Sequence, residues 1–437
     1  MMQQYPAYKD SSLNWLSKIP VHWDELPNIA IFQERIERGF EANELLSVTM
    51  AEGIIRQNEL ETKKDISNEN KSNYKRVRTG DIAYNKMRMW QGAVGYSRYE
   101  GIVSPAYVVL RPKCNINPKY FHYLFRIPWY TNESYRNSYG IHDDQLSLRY
   151  VDFKRMYSPF PPIEEQEAIV AFLEEQTAVI NQFLANKRQL IALLEEQKQV
   201  VINTAVTQGL DPNTPRKPSG IDWLSDIPAH WEIKKIGYIS EVGNGSTPSR
   251  SNMRYWQDGT YPWLNSSSVN QGVIVEADQF VTPTALKECH LPIVKPNSIL
   301  IAITGQGKTR GTAALLTFEA TINQHMAYIT PLPKVITSDY LVTFLQGNYN
   351  YLRYISDGQG GTKGALTCGD IKQLKIPVPP PAEQEIIVER VKQTLSEINT
   401  AIERIQREIE LIEEYRTTLI AHAVTGKIDV RPQPEMA

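Results

Sequence analysis

The chain has 437 residues, which suits two or three domains each able to bury a core, and its net charge of −2 argues against a simple basic nucleic-acid binder until the charge is divided along the chain. Its three cysteines, Cys114, Cys289 and Cys368, are isolated and odd in number, so neither a disulfide framework nor a Cys-x-x-Cys zinc site is expected and a reducing cytoplasm is the natural setting. No stretch approaches the ~18 apolar residues of a membrane span, so a cytoplasmic protein without a membrane partner is expected.

The phrase "WLSKIPVHW" at residues 15–23 returns as "WLSDIPAHW" at 223–231, with seven of nine positions identical. A second repeat begins at Glu164, "EEQEAIVAFLEEQ", and aligns without a gap with "AEQEIIVERVKQT" from Ala382, at an offset of 218. The chain is therefore a tandem duplication, in the order phrase, globular segment, rod, phrase, globular segment, rod.

The first globular segment, 24–160, holds 20 Lys+Arg against 17 Asp+Glu, a balance of +3. It contains short β-favouring runs such as "AYVVLRP" (106–112) between Gly, Asn and Pro turns. The first rod follows "FPPIEEQE", and residues 165–207 carry neither proline nor glycine. Proline suits a first helical turn, and the carboxylates after it suit the positive end of the helix dipole. A 3.5-residue template places Ile169, Leu173, Ile180, Phe183, Leu190, Leu194 and Val201 on one seam, the pattern of a coiled coil.

The second unit repeats the plan. Residues 232–375 hold 13 Lys+Arg against 10 Asp+Glu, again +3, with strand-like runs at "NSILIAIT" (297–304) and "HMAYITP" (325–331). "GDIAYNKMRMWQGAVG" (80–95) aligns loosely with "NSILIAITGQGKTRGTAA" (297–314), so the globular parts share a fold with diverged sequences. After "VPPPAEQE" the second rod places Ile387, Val391, Ile398, Ala401, Ile405, Ile412, Tyr415 and Leu419 on its seam. Residues 161–207 hold 3 basic against 7 acidic side chains and 379–425 hold 5 against 9, so both rods carry −4. At 1.5 Å per residue each rod is about 65 Å long, and matched length and register imply that the seams meet.

The expected architecture is α+β: two mixed α/β domains joined by two long antiparallel coiled-coil helices with pseudo-two-fold symmetry. The expected boundaries are 1–160 for the first domain with its phrase, 161–208 for the first helix, 209–378 for linker, phrase and second domain, 379–428 for the second helix, and 429–437 for a tail. Trp15, Trp23, Trp223 and Trp231 are expected to fasten a domain to a rod, with His22 and His230 as hydrogen-bonded structural residues.

Two variable globular segments, each preceded by "WLSxIPxHW" and followed by "PPxxEQExIV" and a long helix ending "AVT", resemble the specificity subunit of type I restriction-modification enzymes over essentially the whole chain. The resemblance implies that each globular part is a target recognition domain reading one half of a split, asymmetric sequence in double-stranded DNA. It implies that the helices space these domains and dock two modification (methyltransferase) subunits, to which restriction subunits add. It further implies a chain that is not an enzyme and binds no cofactor, its methyltransferase partner using S-adenosylmethionine.

Direct readout needs Arg, Lys, Asn or Gln on loops that enter a groove. In the first domain these are Lys75, Arg76, Arg78, Lys86, Arg88 and Gln91; in the second, Arg250, Asn252 and Arg254, then Gln306, Lys308, Thr309 and Arg310 on the "TGQGKTRGT" loop. Enzyme motifs fail one by one. Gly307-Lys308-Thr309 ends like a phosphate-binding loop, but Ala302 stands where its first glycine belongs and Gly311 falls where a helix should begin. There is no Asn-Pro-Pro-Tyr stretch, and Cys289-His290 alone holds no metal. A nuclease acting alone and a scaffold that binds only protein remain the other two possibilities.

Overall fold

The computed structural model describes residues 3–50, 52–59, 70–140, 142, 146–305, 307–357 and 364–431. Gln306 and residues 432–437 of the expected tail therefore lie outside the described residues. The chain divides into two compact units, Met1–Lys187 with Gln406–Ala437, and Arg188–Ile405. The fold mixes helices and sheets, and its two long helices, Ile163–Gln208 and Pro381–Val424, each supply residues to both units.

The first unit is built on a four-stranded antiparallel sheet with strands in the order Phe32–Glu34, Tyr107–Pro112, Ile82–Asn85, Val94–Tyr96. The second unit lays down Ser240–Asn244, Met326–Pro331, Ile299–Ala302 and Ala313–Leu316 in the same order, and adds Val273–Ile274 in parallel at the far edge. Three helices follow the sheet in each unit: Pro118–Leu124, Pro128–Arg136 and Tyr150–Phe153 in the first, Ser338–Gly347, Tyr349–Asp357 and Cys368–Gln373 in the second. A two-stranded ribbon then leads into each long helix, Asp24–Pro27 with Tyr157–Phe160 and Glu232–Lys235 with Lys375–Val378. The loose alignment of 80–95 with 297–314 thus corresponds to strands in the same place in their sheets.

The repeated phrase and the repeated Glu-Gln-Glu meet in each unit. In the first, Glu165 accepts from the Trp23 indole Nε1 at 2.8 Å and from the Tyr5 hydroxyl at 3.0 Å, and its other oxygen lies 2.5 Å from His22 Nε2. In the second, Glu383 accepts from Trp231 Nε1 at 3.1 Å and lies 2.7 Å from His230 Nε2. Both indoles are fully buried, so each N–H needs an acceptor. The next residue is used alike: the Gln166 side chain accepts from Asn117 N and donates to Pro161 O, and the Gln384 side chain accepts from Thr337 N and donates to Pro379 O. Tyr120 donates to the helix-end carbonyl of Val424, and Tyr340 to that of Val206. In each unit a tryptophan and a histidine thus hold the start of one long helix, and a tyrosine holds the end of the other.

Each long helix stops against a copy of the repeated phrase. Gly209 and Gly426 adopt φ +77° and +70°, the left-handed conformation that ends helices and favours glycine. A Cβ on Gly209 would touch Pro228 and Trp231, and one on Gly426 would press into Pro20 and Trp23, so each helix closes on the Pro and Trp of one phrase copy.

The helix seams differ from the expected ones in part. Ile169, Leu173, Ile180, Ile387, Val391, Ile398, Ile405 and Leu419 are buried, and Leu194, Val201, Ala401 and Ile412 are half-buried. Phe183, Leu190 and Tyr415 are exposed instead. The buried or half-buried stripe runs 173, 177, 180, 184, 187, 191, 194, 198 on the first helix and 391, 395, 398, 402, 405, 409, 412 on the second, alternating steps of four and three. Phe183 and Leu190 stand one residue before stripe positions, about 100° away around the helix, where Leu184 and Ile191 face inward. Polar ties flank the stripe in the first unit, with Lys187 2.6 Å from Glu408 and Arg416 donating to Asn181 at 2.9 Å.

Candidate nucleic-acid interface

The predicted loop residues divide into a structural set and an exposed set. In the first unit Lys75 is buried, ion-paired to Glu34 at 3.1 Å and donating to Tyr107 O at 2.9 Å. Arg76 is half-buried, its guanidinium 4.4 Å over the Phe40 ring and 3.2 Å from Glu100. Arg78 reaches Glu37 at 2.9 Å, and its backbone N–H donates to Asp81, which Arg35 also holds at 2.8 Å. Burial raises the Glu37 pKa, but hydrogen bonds from Arg35 and Arg78 outweigh it and hold the carboxyl below its ordinary range. Contrary to expectation, Lys75 is not on an exposed loop but buried at the start of the strand Lys75–Val77. Its charge pairs with the half-buried Glu34, because a largely buried ammonium without an anion is costly.

Lys86, Arg88 and Gln91 lie on the turn after Ile82–Asn85. Asn85 shapes it, accepting from Met87 N on its side chain at 2.9 Å and from Arg88 N on its carbonyl at 3.1 Å. Met89 is fully buried and pins the short turn Met89–Gln91. Arg88, Gln91 and Met87 consequently point outward and are exposed, while Lys86 is half-buried. Beside them Trp90 packs edge-on against Tyr135 at 5.6 Å, and Arg149 lies 5.6 Å from the ring of exposed Tyr139. Tyr139 and Arg149 were missed by sequence reading, since nothing in "NSYG" or "SLRY" separates them from ordinary surface.

The second unit presents the corresponding turn between Ile299–Ala302 and Ala313–Leu316. Arg353 donates to Gly307 O at 2.7 Å and the Tyr349 hydroxyl to Lys308 O at 2.7 Å, so the following helix holds the turn by its carbonyls. Lys308 is exposed and Thr309 half-buried. Arg310 is a correction: it is 4% exposed and ion-paired to Asp357, tying the turn to the helix rather than reaching solvent. Arg250 lies 3.7 Å over the Trp256 ring and donates to Gln279 at 2.6 Å. Arg254 is exposed beside Glu288 at 3.5 Å, and Asn252 caps the short turn Met253–Tyr255 by accepting from Arg254 N at 3.2 Å.

Among the described residues no group of three or more His, Cys, Asp or Glu could hold a metal ion, and no helix is long and apolar enough to cross a membrane. What recurs in both units is a sheet-end turn stiffened from behind, presenting Arg88 and Gln91 in the first and Lys308 in the second.

The family model described as the type I restriction modification DNA specificity domain matches residues 40–196 and 228–411. The chain belongs to this family. It is a DNA-recognition chain of the type I restriction-modification class and not a catalytic one. It is 26% identical over 379 residues, 84% of this chain and 82% of the relative, to a putative type I restriction enzyme MjaX specificity subunit of Methanocaldococcus jannaschii. It is 24% identical to the EcoR124I/EcoR124II specificity subunit of Escherichia coli, over 60% of this chain and 62% of that one. The fold is that of the HsdS subunit of Thermoanaerobacter tengcongensis (TM-score 0.55, 16% identity, 94% of this chain and 98% of that one). A chain from a structure of the assembly and conformational transition of a type I R-M system superposes with TM-score 0.68 at 16% identity, over 94% and 99% of the two chains. Two recognition domains and two long helices are thus the family's architecture, and binding to DNA within a type I complex its role.

Proposed function

We propose that this chain reads a bipartite, asymmetric DNA target, one half per recognition domain, and positions two methyltransferase subunits, and through them restriction subunits, on that target. The observation that carries this reading is the repetition of one scaffold with different outward side chains. Both units share strand order, the Trp–Glu anchor and the stiffened turn, yet the turn offers Met87, Arg88 and Gln91 in one and Lys308 in the other. Equivalent scaffolds with unlike readers select unlike half-sites, hence a target without a palindrome.

In this reading the two helices lie antiparallel along their whole length with pseudo-two-fold symmetry, and the domain boundaries are 1–160, 161–208, 209–378 and 379–428. The ties of Asn181 to Arg416 and of Lys187 to Glu408, ascending on one helix and descending on the other, support it. So does the packing of Ile202 and Val206 in one apolar cluster with Ile387 and Val391. The exposed apolar residues Val179, Leu193, Val200 and Ile386 remain for partner helices. The methyltransferase partners would bring S-adenosylmethionine, and the complex would work in the cytoplasm.

The test is to express the chain with its two partner subunits in a host free of DNA methylation and map the modified bases. One split motif with unlike halves, a modified base in each, is expected. A palindromic or uninterrupted motif, or no methylation, overturns the reading.

A further inference from the structure

The strands Ser240–Asn244, Ile299–Ala302 and Met326–Pro331 of the second unit meet one edge of the sheet, since Asn244 pairs with Ala327 and Ala302 with Met326. At that edge four polar side chains form a chain. The Thr247 hydroxyl donates to Gln324 Oε1. Gln324 Nε2 lies 3.2 Å from His325 Nε2, and His325 Nδ1 lies 2.8 Å from Thr304 Oγ1. An amide nitrogen can only donate, so His325 Nε2 accepts and the neutral ring gives its Nδ1 hydrogen to Thr304. The links from Thr247 and His325 thus hold the Gln324 amide from both sides and fix its plane.

Gln324 is exposed, and its amide keeps one N–H and one carbonyl lone pair uncommitted among the described residues. Adenine displays an N7 acceptor and an N6 donor side by side in the major groove, and a glutamine amide pairs with both at once. The backbone beneath is rigid: His325 N donates to the Asn323 side chain at 3.0 Å, and buried Asn323 donates its own N–H to Leu264 O at 3.0 Å. The edge is continuous with the Lys308 turn, because Ile303 N donates to His325 O at 3.0 Å.

The first unit has the same turn with different contents. Lys86 N donates to Ala106 O at 3.1 Å, and Ala106 N to the Ser104 hydroxyl at 3.3 Å, so Ser104-Pro105-Ala106 stand where Asn323-Gln324-His325 stand in the second. Proline and alanine read no base by hydrogen bonds.

We infer that Gln324 is a specificity-determining residue that reads an adenine in the half-site of the second recognition domain, with Thr247 and His325 as positioning residues for its amide. The inference rests on the proposed two-domain reading. It is tested in the complete complex with both partner subunits, by mapping methylated motifs for the wild type and for Gln324→Ala, Gln324→Glu and Thr247→Ala. Gln324→Ala should lower the preference for adenine at one position of one half by on the order of tenfold or more and leave the other half unchanged. Gln324→Glu, which can only accept, should shift that position toward cytosine, whose N4 donates. Thr247→Ala should relax the same position more weakly. If the wild type yields no split motif, the proposed function fails. If the wild-type motif is split but both Gln324 variants retain it unaltered, or both abolish methylation altogether, the assignment to Gln324 is overturned.

Discussion

Glu165 answers for a fully buried tryptophan N–H, a histidine and a tyrosine hydroxyl at once. Glu165→Ala leaves these donors without their acceptor inside the fold, and a loss of roughly 1–3 kcal/mol is expected in denaturant unfolding of the full chain. Glu383→Ala should cost less, because the Glu383 side chain is 30% exposed against 9% for Glu165 and water can replace it. Equal effects would contradict that difference. His122 gives a pH-dependent case. Its ring accepts from Tyr96 N at 3.3 Å on Nδ1, which only the neutral form allows. Burial, then Arg126, Arg98 and Lys119, push its pKa down from 6.5 to about 3. A depressed histidine pKa means the unfolded chain binds the proton first, so its contribution is complete above pH 6.5 and declines as pH falls from there toward 3. The thermal unfolding midpoint of the chain should therefore fall as pH is lowered through that window. His122→Asn, which keeps an acceptor for Tyr96, should flatten the slope; an unaltered slope would remove His122 as the cause. The sequence could mark residue types but not their burial. Arg88 and Arg310 look alike in it, yet one is exposed and the other is 4% exposed on Asp357, a distinction made by a carboxylate 47 residues away.

The long helices were legible as elements, since prolines before residues 163 and 382 and the absence of proline or glycine between 165–207 and 383–425 bound them closely. The face they bury was legible more fully on the second, where Tyr415 alone of the expected seam is exposed, than on the first, where Phe183 and Leu190 are. On the second the apolar residues at 391, 398, 405 and 412 repeat every seven, and the structure adds Leu395, Ile402 and Ile409 between them. On the first helix Phe183 and Leu184, or Leu190 and Ile191, are apolar neighbours, and composition alone cannot choose between adjacent residues about 100° apart. Lys187 and Lys198 occupy half-buried positions, their stems covering apolar surface while their charges reach Glu408 and Glu195. The stripe makes a direct prediction. Ile402→Ala should cost about 2–5 kcal/mol as a buried large-to-small change, whereas Phe183→Ala should stay within about 1 kcal/mol. Denaturant midpoints of the two variants decide it, and a larger loss for Phe183 would restore the seam first read from the sequence.

At the scale of the whole chain the duplication was the most legible property, because nine-residue and 43-residue repeats survive where the recognition domains have diverged. The proposed reader Gln324 was not, because the chain that holds it depends on which strand ends come together: Thr247, Thr304 and Gln324 are scattered over 78 residues and no local pattern joins them. The same division gives a test of the proposed spacing role. Helix length is set by residue count, so seven residues added to both long helices, near 187–188 and 405–406, lengthen each by about 10.5 Å while keeping the four-three stripe in phase. Ten base pairs rise roughly 34 Å, so the same lengthening corresponds to about three base pairs of DNA. Both half-sites should keep their bases, since neither anchor nor either sheet is touched, and the unread gap between them should grow by about three. Adding the heptad to one helix alone breaks the match of seam to seam and should lower stability without giving a new motif. Methylation mapping of the doubly extended chain reads this directly, and a gap unchanged from that of the parent would mean that something other than the paired helices sets the distance.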